Sequence, residues 1–427
     1  MTIIATIIVA MMSSGQAISS SGTPSTTVQW PLSRLTGVRV ALVAGPEAGH
    51  VFPAFALAQR LGVAEIETVV YTGTRWTSGR AADHFDVREL PGLLVADDED
   101  DADAGTKLHA RAARMACQLA PLLAADSTDL VVSDVITVAG LFAGEMMGLP
   151  VIELCPHPLY LPSRGLPPVG MGLAPGAGVL GRARDHLLRA LTARSVKNGV
   201  RQREAARQSI GLPACDRGPD ARLVATLPAL EVPRPDWPPN THLIGPLHWE
   251  PVDEVLALPP GNDPVVVVAP STAETGAGGM VEIALAALSP DVLGMPVRVA
   301  LSMLDPPCDD LPSWAVAGAA RQDQLLADAD LVVCGAGHGL LSKALLAGVP
   351  VVMVPGGGDQ WELANRVQRQ GSGLLVRPLT AEALARACRK VLSGKDFKVH
   401  AVAAAATAAA VVDPVAVCVD TVAAGRG

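Results

Sequence analysis

Gly335, Gly337 and Gly339 alternate with other residues directly after the aliphatic run DLVVC and at the start of a helical pattern. Glycine lets a ligand approach the backbone closely. The free N–H groups and the dipole at a helix N-terminus favour negative charge. This turn is therefore a candidate diphosphate site that needs no cluster of basic side chains, although a strand–helix turn without a ligand has the same pattern.

A carboxylate and an amide, Asp359 and Gln360, follow the next aliphatic run, PVVMVP, and precede another helical pattern. Together they offer hydrogen bonds to two neighbouring hydroxyl groups, such as those of a sugar ring. An Asp at this position is also an ordinary helix N-cap. The sugar-binding interpretation is favoured because the pair follows the strand that comes directly after the glycine turn in the sequence.

In the first half of the chain, His50 lies in the sequence GPEAGHVFP, directly after the first aliphatic run. An imidazole of pKa about 6.5 accepts a proton near neutral pH, which suits a general base acting on a hydroxyl group. A histidine in a loop is more often a surface or capping residue, and that alternative stays open. Asp134 ends a later run, DLVVSD, where it is also a candidate N-cap.

Aliphatic runs that alternate with helical patterns must position these residues. The predicted strands of the first half are Val38 to Ala44, Ile66 to Thr72, Asp129 to Asp134 and Pro150 to Leu154. Those of the second half are Pro264 to Ser271, Pro296 to Leu301, Asp330 to Gly335, Pro350 to Pro355 and Gly373 to Pro378. The alternation predicts an α/β fold of two Rossmann-like, doubly wound parallel sheets facing across a cleft.

Composition excludes several functional classes. The 427 residues suggest two domains, and 49% hydrophobic residues against 18% charged ones are enough for large cores. A net charge of -9 argues against nucleic acid as a partner. The seven cysteines are scattered without metal-ligand spacing, which indicates reduced thiols in a cytoplasmic protein.

Changes in pattern predict the boundaries of five segments. These are a disordered extension over 1–37, a first domain over 38–240, a linker over 241–263, a second domain over 264–400 and a helical tail over 401–427. The apolar run in the extension is too short to span a bilayer and lacks the basic residues that precede it in a signal peptide. The Arg-rich stretch 183–208 predicts a solvated helix, with contact to a membrane surface as the second interpretation.

Cys334 to Gly373 resembles the nucleotide-sugar-binding half of the GT-B glycosyltransferases. The nearest resemblance is to the family 1 type, which includes actinobacterial macrolide and glycopeptide and plant secondary-metabolite glycosyltransferases. The matching residues are Ala344, Leu345, Gly348, Val349, Pro350, Asp359, Gln360, Asn365 and Val367. Gly49-His50 and Pro53 match the same family independently. The resemblance covers residues 38 to about 395.

The resemblance implies a GT-B fold, an acceptor-binding first domain and a second domain that binds a UDP- or TDP-sugar. The residues that it assigns are His50 as base, Asp134 as its orienting partner, Gly335, Gly337, His338 and Gly339 for the diphosphate, Asp359 and Gln360 for the sugar, and Gln322 for the nucleoside. It implies inverting hexosyl transfer without a metal or a cofactor other than the nucleotide sugar. The apolar loop 155–182 indicates a lipophilic small-molecule acceptor, as in antibiotic biosynthesis.

Two departures from the family pattern define the main alternative. Gly335 stands where the family has a histidine, and Ala319 stands where it has a tryptophan. They favour a catalytically inactive relative that acts as a binding or auxiliary protein, whereas His50 and Asp134 favour an enzyme. A sugar-nucleotide epimerase would need a carboxylate set that we do not find. A dinucleotide oxidoreductase would need a Gly-x-Gly-x-x-Gly after the first strand of either half, and neither half has it.

Overall fold

The structure is a computed structural model that describes residues 37–93, 103–271, 276–303 and 311–426. The predicted extension 1–37 lies outside the described residues except for Gly37. The described residues build two parallel sheets, each covered by helices on both faces, as continuous aliphatic strands require.

The first sheet has seven strands in the order β3-β2-β1-β4-β5-β6-β7, all parallel. These are β1 Arg39–Val43, β2 Glu67–Thr72, β3 Asp86–Glu89, β4 Leu130–Asp134, β5 Val151–Cys155, β6 Ala221–Val224 and β7 Thr241–Leu243. Its helices are α1 Ala48–Val63, α2 Arg80–His84, α3 Ala104–Ala125, α4 Ala139–Met146 and α5 Gly178–Ser209. The residues of β4 and β5 are all buried, which makes these strands the centre of the core.

The second sheet has six parallel strands in the order β10-β9-β8-β11-β12-β13. These are β8 Val265–Ala269, β9 Arg298–Ser302, β10 Ala315–Gly318, β11 Leu331–Cys334, β12 Val351–Met353 and β13 Gly373–Leu375. Its helices are α6 Met280–Leu288, α7 Pro290–Leu293, α8 Gln322–Asp328, α9 His338–Leu346, α10 Gln360–Gln370, α11 Ala381–Ser393 and α12 Lys395–Ala406.

The C-terminal helix α13, Pro414–Gly425, returns to the first domain, where it packs against α1 and strands β4 to β6. By length and composition alone, the stretch Lys395–Gly425 would suffice to cross a membrane. It is divided, however, by a 3-10 turn at Thr407–Ala410 and by the non-helical residues that follow. Val417 and Val422 of α13 are buried in the first core, so this stretch belongs to the folded protein.

Every strand predicted from an aliphatic run is present, whereas four short strands were missed. The missed strands are β3, β6, β7 and β10. Strand β3 has the sequence DVRE at the sheet edge, so it carries no hydrophobic pattern to detect. Strand β7 pairs with β6, so the first sheet extends into the segment 241–263 that was predicted to be linker. Helix α5 begins at Gly178, five residues before the predicted start at 183.

Each sheet reverses its strand order at one point, between β1 and β4 in the first and between β8 and β11 in the second. In open α/β sheets, the crevice at the carboxyl ends of the strands beside such a reversal is where ligands bind. His50 follows β1 and Asp134 ends β4, while the glycine turn follows β11. The fold therefore places the candidate residues of both halves at ligand-binding crevices.

Candidate active site

A histidine–carboxylate pair lies at the crevice of the first sheet. His50, in the first turn of α1, has its Nδ1 2.7 Å from Oδ1 of Asp134. The other carboxylate oxygen of Asp134 accepts hydrogen bonds from the backbone N–H groups of Ile136 and Thr137 and from the Thr137 hydroxyl, each at 3.1 Å. Asp134 thus contacts the imidazole while it also fixes the loop before α4. The N-cap residue of α4 is Val138, so the alternative of Asp134 as a helix N-cap is wrong.

The two residues of the pair shift each other's pKa. Burial alone lowers the pKa of His50, but the charge and hydrogen bond of Asp134, assisted by Glu47 and Asp359, outweigh burial and raise it above its ordinary value. Burial raises the pKa of Asp134, but His50 and the N–H groups that Asp134 accepts outweigh it and hold the pKa below its ordinary value. The site therefore stabilises an imidazolium beside a carboxylate, which is the state that forms when a base takes up a proton.

The glycine turn opens helix α9 at the crevice of the second sheet. Gly337 is the N-cap residue of the helix, and the preceding Ala336 has a φ of 62°, in the left-handed region. A left-handed residue in such a turn points successive N–H groups to one side, which forms an anion-binding concavity. The turn therefore has the backbone geometry that a diphosphate needs.

Gly335 is packed closely against the loop after β8. A Cβ added at this position would lie 3.0 Å from the Cβ of Ser271 and 3.3 Å from its backbone nitrogen. At Gly337 and Gly339, in contrast, an added Cβ would meet nothing within 4 Å. Any larger residue at position 335, including the histidine of the family pattern, would therefore require Ser271 to shift.

The predicted sugar-binding pair occupies the N-terminus of α10 in two different environments. The Gln360 side chain accepts from the Gly356 N–H and donates to the Ser271 hydroxyl, both at 2.9 Å. Asp359 instead accepts a hydrogen bond of 3.2 Å from the hydroxyl of Tyr160, which belongs to the loop after β5 of the first domain. The charge of Asp359 also contributes to the raised pKa of His50. The structure thus brings the predicted base, His50, and the predicted sugar-binding carboxylate together across the two domains.

His338 has its own partners across the domain boundary. Its Nε2 lies 2.8 Å from the hydroxyl of Thr226, and it also makes a hydrogen bond to the backbone of Pro156. Burial, reinforced by the charge of His157, lowers the pKa of His338 to about 3. The imidazole is therefore neutral and hydrogen-bonded to the first domain, and its role at a diphosphate stays a prediction.

Gln322, predicted to bind the nucleoside, begins α8 in a polar cluster. Its side chain donates to the Ser302 hydroxyl at 3.2 Å and accepts from the Lys343 ammonium at 3.0 Å. Lys343 also pairs with Glu250 at 2.7 Å, and Glu250 accepts from the backbone N–H of Gln322. The role of Gln322 at a nucleoside stays a prediction. Its side chain is oriented by Ser302 and Lys343 in the structure.

Two aromatic residues that the sequence did not single out also lie at this junction. His157 stacks on Tyr160 with ring centroids 4.5 Å apart, and its pKa is lowered by burial despite the opposing charge of Asp359. Burial and the charge of Asp359 raise the pKa of Tyr160 well above its ordinary value, which keeps the hydroxyl protonated and able to donate. The available signal was their position in CPHPLY, directly after a buried strand of the sheet.

A buried ionic network holds the loop that follows β5 (residues 156–177, hereafter the acceptor-side loop) against α10. Glu231 accepts from the Leu159 N–H at 2.6 Å and lies 3.7 Å from Arg366 of α10. Arg366 in turn donates to Glu362 at 3.1 Å, and Glu362 accepts from the N–H of Gly172 at 2.8 Å. Because breaking a buried ion pair leaves an uncompensated charge, the network fixes the loop that carries His157 and Tyr160.

Replacing Tyr160 by Phe is expected to raise the KM for the donor about tenfold with little change in kcat. A hydrogen bond to a charged group contributes roughly 1.5–3 kcal/mol, and its loss leaves Asp359 free to turn away from the position in which it is predicted to bind the sugar. Tyr71→Phe is the matched control, since the other tyrosine of the chain also donates to an aspartate, Asp126, away from the site. Steady-state kinetics with the donor varied make the comparison. Equal effects of the two substitutions on the donor KM would contradict a role for Tyr160 in positioning Asp359.

The two parallel-sheet α/β units, each with a crevice at the carboxyl ends of its strands, have the architecture of the GT-B fold. Comparison with solved structures agrees with this fold. The glycotransferase of kitacinnamycin superposes with a TM-score of 0.69 at 18% identity, over 91% of this chain and 97% of that one. The spinosyn rhamnosyltransferase SpnG superposes with a TM-score of 0.65 at 18% identity, over 91% of this chain and 100% of that one.

Sequence comparison identifies the family. Residues 327–420 match the UDP-glucoronosyl and UDP-glucosyl transferase family. The chain is also 30% identical over 407 residues to the 4'-demethylrebeccamycin synthase of Lentzea aerocolonigenes, covering 86% of this chain and 94% of that relative. This chain therefore belongs to the UDP-glucoronosyl and UDP-glucosyl transferase family of GT-B enzymes, as the sequence resemblance implied. It is a nucleotide-sugar-dependent glycosyltransferase.

Proposed function

We propose that the enzyme transfers a hexose from a UDP- or TDP-sugar to a hydroxyl group of a lipophilic small molecule, with inversion at the anomeric carbon and without a metal ion. The 2.7 Å contact between His50 and Asp134 carries the proposal. Asp134 holds Nδ1, so Nε2 is left to take the proton of the acceptor hydroxyl as that oxygen attacks the anomeric carbon. A single displacement from the face opposite the leaving diphosphate inverts the configuration.

In the proposal, the backbone of the glycine turn stabilises the charge of the leaving diphosphate. The N–H groups around Gly337 and Gly339 and the dipole of α9 stabilise the negative charge that develops there. In the proposal, Asp359 and Gln360 bind the sugar hydroxyls.

The apolar composition of loop 155–182 supports a lipophilic substrate. Val135, Leu159, Leu161 and Val224 pack around Tyr160 in a small buried apolar cluster that anchors this loop. A relative named for 4'-demethylrebeccamycin and a structural neighbour named for spinosyn suggest antibiotic-type acceptors. Reduced thiols support a cytoplasmic site of reaction, since the six cysteines of the described residues are free.

Incubation of the enzyme with UDP- and TDP-glucose and a panel of phenolic and polyketide acceptors tests the proposal. We expect release of the nucleoside diphosphate only with a hydroxyl-bearing lipophilic acceptor. The large anomeric proton coupling of a β-glucoside should appear in the product made from an α-linked donor, and EDTA should leave the rate unchanged. An α-glucoside, or a rate that EDTA abolishes and magnesium restores, would refute the proposed mechanism.

A further inference from the structure

The N-terminal half of α5 exposes large apolar side chains that no other described element covers. Leu180, Leu187 and Leu191 are 87%, 60% and 71% exposed, and Val179 beside them is 75% exposed. The three leucines are spaced by two helical turns and then by one, so they project from the same face of the helix. Single exposed leucines are normal on a protein surface, but an aligned row on one helix indicates a surface that is covered in use.

The same helix is strongly basic, although the protein is acidic. Helix α5 carries eight basic residues and two acidic ones, a formal charge of +6, in a chain whose net charge is -9. Arg194, Lys197 and Arg201 continue the exposed face beyond the leucines, and none of them makes an ion pair within the described part of the chain. Exposed cations beside an apolar row fit a partner that is anionic at its surface and apolar beneath it.

The cationic and apolar face is coupled to the acceptor-side loop. Asp185, buried on the opposite side of α5, accepts from the Gly176 N–H at 2.7 Å. Arg189 donates to the carbonyl of Leu166 at 2.6 Å, and Arg184 donates to that of Ala174 at 2.7 Å. One face of the helix therefore braces the loop that carries Tyr160, while the other face is free.

We propose that this face of α5, formed by Val179, Leu180, Leu187, Leu191, Arg194, Lys197 and Arg201, docks the enzyme on an anionic lipid surface. The leucines enter the boundary between headgroups and acyl chains, and the cations contact the lipid phosphates. A solvated helix, the first interpretation of the sequence, accounts for the arginines but leaves the row of leucines without a function. Docking brings the entrance of the acceptor loop to the phase in which a lipophilic molecule concentrates. The docking surface itself is argued without the proposed reaction, whereas its use for a lipophilic acceptor rests on the proposed function.

Vesicle sedimentation tests the proposal with the full chain and without an activity assay. We expect the protein to sediment with vesicles of phosphatidylcholine and phosphatidylglycerol in equal parts, and not with phosphatidylcholine alone. Binding should weaken as salt is raised, because the electrostatic attraction is screened. Changing Leu180, Leu187 and Leu191 together to Ser, or Arg194, Lys197 and Arg201 together to Gln, should lower the partition coefficient roughly a hundredfold.

The matched control removes three apolar side chains of similar fractional exposure from other parts of the surface. Val63→Ser, Val255→Ser and Val399→Ser combined change residues that are 83%, 62% and 63% exposed, and should leave vesicle binding unchanged. Equal binding of the control and the leucine variant would overturn the proposal, as would equal sedimentation with neutral and anionic vesicles. A wild-type dimer that the leucine variant converts to monomer, without any vesicle binding by the wild type, would assign the face to a second copy and also overturn it.

Discussion

His50→Ala is expected to lower kcat about 10²–10⁴-fold, the usual contribution of a general base, while the dissociation constant of the nucleotide sugar stays within a few-fold of the wild type. His50 is placed at the crevice of the first sheet by α1, and the predicted diphosphate turn belongs to the second sheet. Loss of the imidazole therefore removes proton uptake without touching the diphosphate site. Single-turnover rates of glycosyl transfer and calorimetric titration with the donor measure the two quantities separately.

The control for this substitution is His84→Ala. His84 is exposed, its Nδ1 lies 2.9 Å from the backbone carbonyl oxygen of Arg80 in its own helix, and its ring lies beside that of Phe85. We expect the kcat of the His84→Ala variant to equal that of the wild type. If His50→Ala retained full transfer activity and the correct fold by circular dichroism, the assignment of the base would be wrong. Loss of donor binding by His50→Ala would instead indicate that the histidine acts on the second domain.

The sequence predicted those parts of the fold that depend on repetitive hydrophobic patterns. Buried parallel strands are continuous aliphatic runs, so VRVALV and PVVVVA were sufficient to locate β1 and β8. Strand β3 was missed because an exposed edge strand buries too little to need apolar residues. Strand β7 was missed because it has three residues, only one of them buried, in a stretch dense in proline.

The sequence predicted a residue of the candidate site where that residue lies at or just after the end of a predicted strand and also matches the family pattern. His50, Asp134 and Asp359 meet this condition, and the structure brings them to one junction. Tyr160 does not, because its contact with Asp359 joins positions 199 residues apart in two separate domains. Such pairings depend on how the two sheets dock, and no local pattern in either half encodes that orientation.

Asp134→Asn is expected to lower kcat by up to about 10⁴-fold, because an amide can donate to Nδ1 and so stabilise the wrong imidazole tautomer. The amide oxygen can still accept from Ile136 and Thr137, which preserves the fold of the loop. Asp126→Asn is the matched control. Asp134 is at the C-terminal end of β4, whereas Asp126 lies before the N-terminal end of this strand and pairs with Arg88. It should change stability but leave kcat unaltered.

The pH dependence of the Asp134 variant distinguishes orientation from simple misfolding. Only neutral His50 accepts a proton, so kcat/KM rises with pH through the pKa of His50. Because Asp134 is the principal group that raises this pKa, the rise in the wild type lies above the ordinary histidine value of about 6.5. Without that charge, burial dominates and lowers the pKa, and the residual activity of Asp134→Asn should rise at lower pH than that of the wild type. A variant that loses activity equally at every pH, with the rise unmoved, would show that Asp134 supports the loop but does not interact electrostatically with the base.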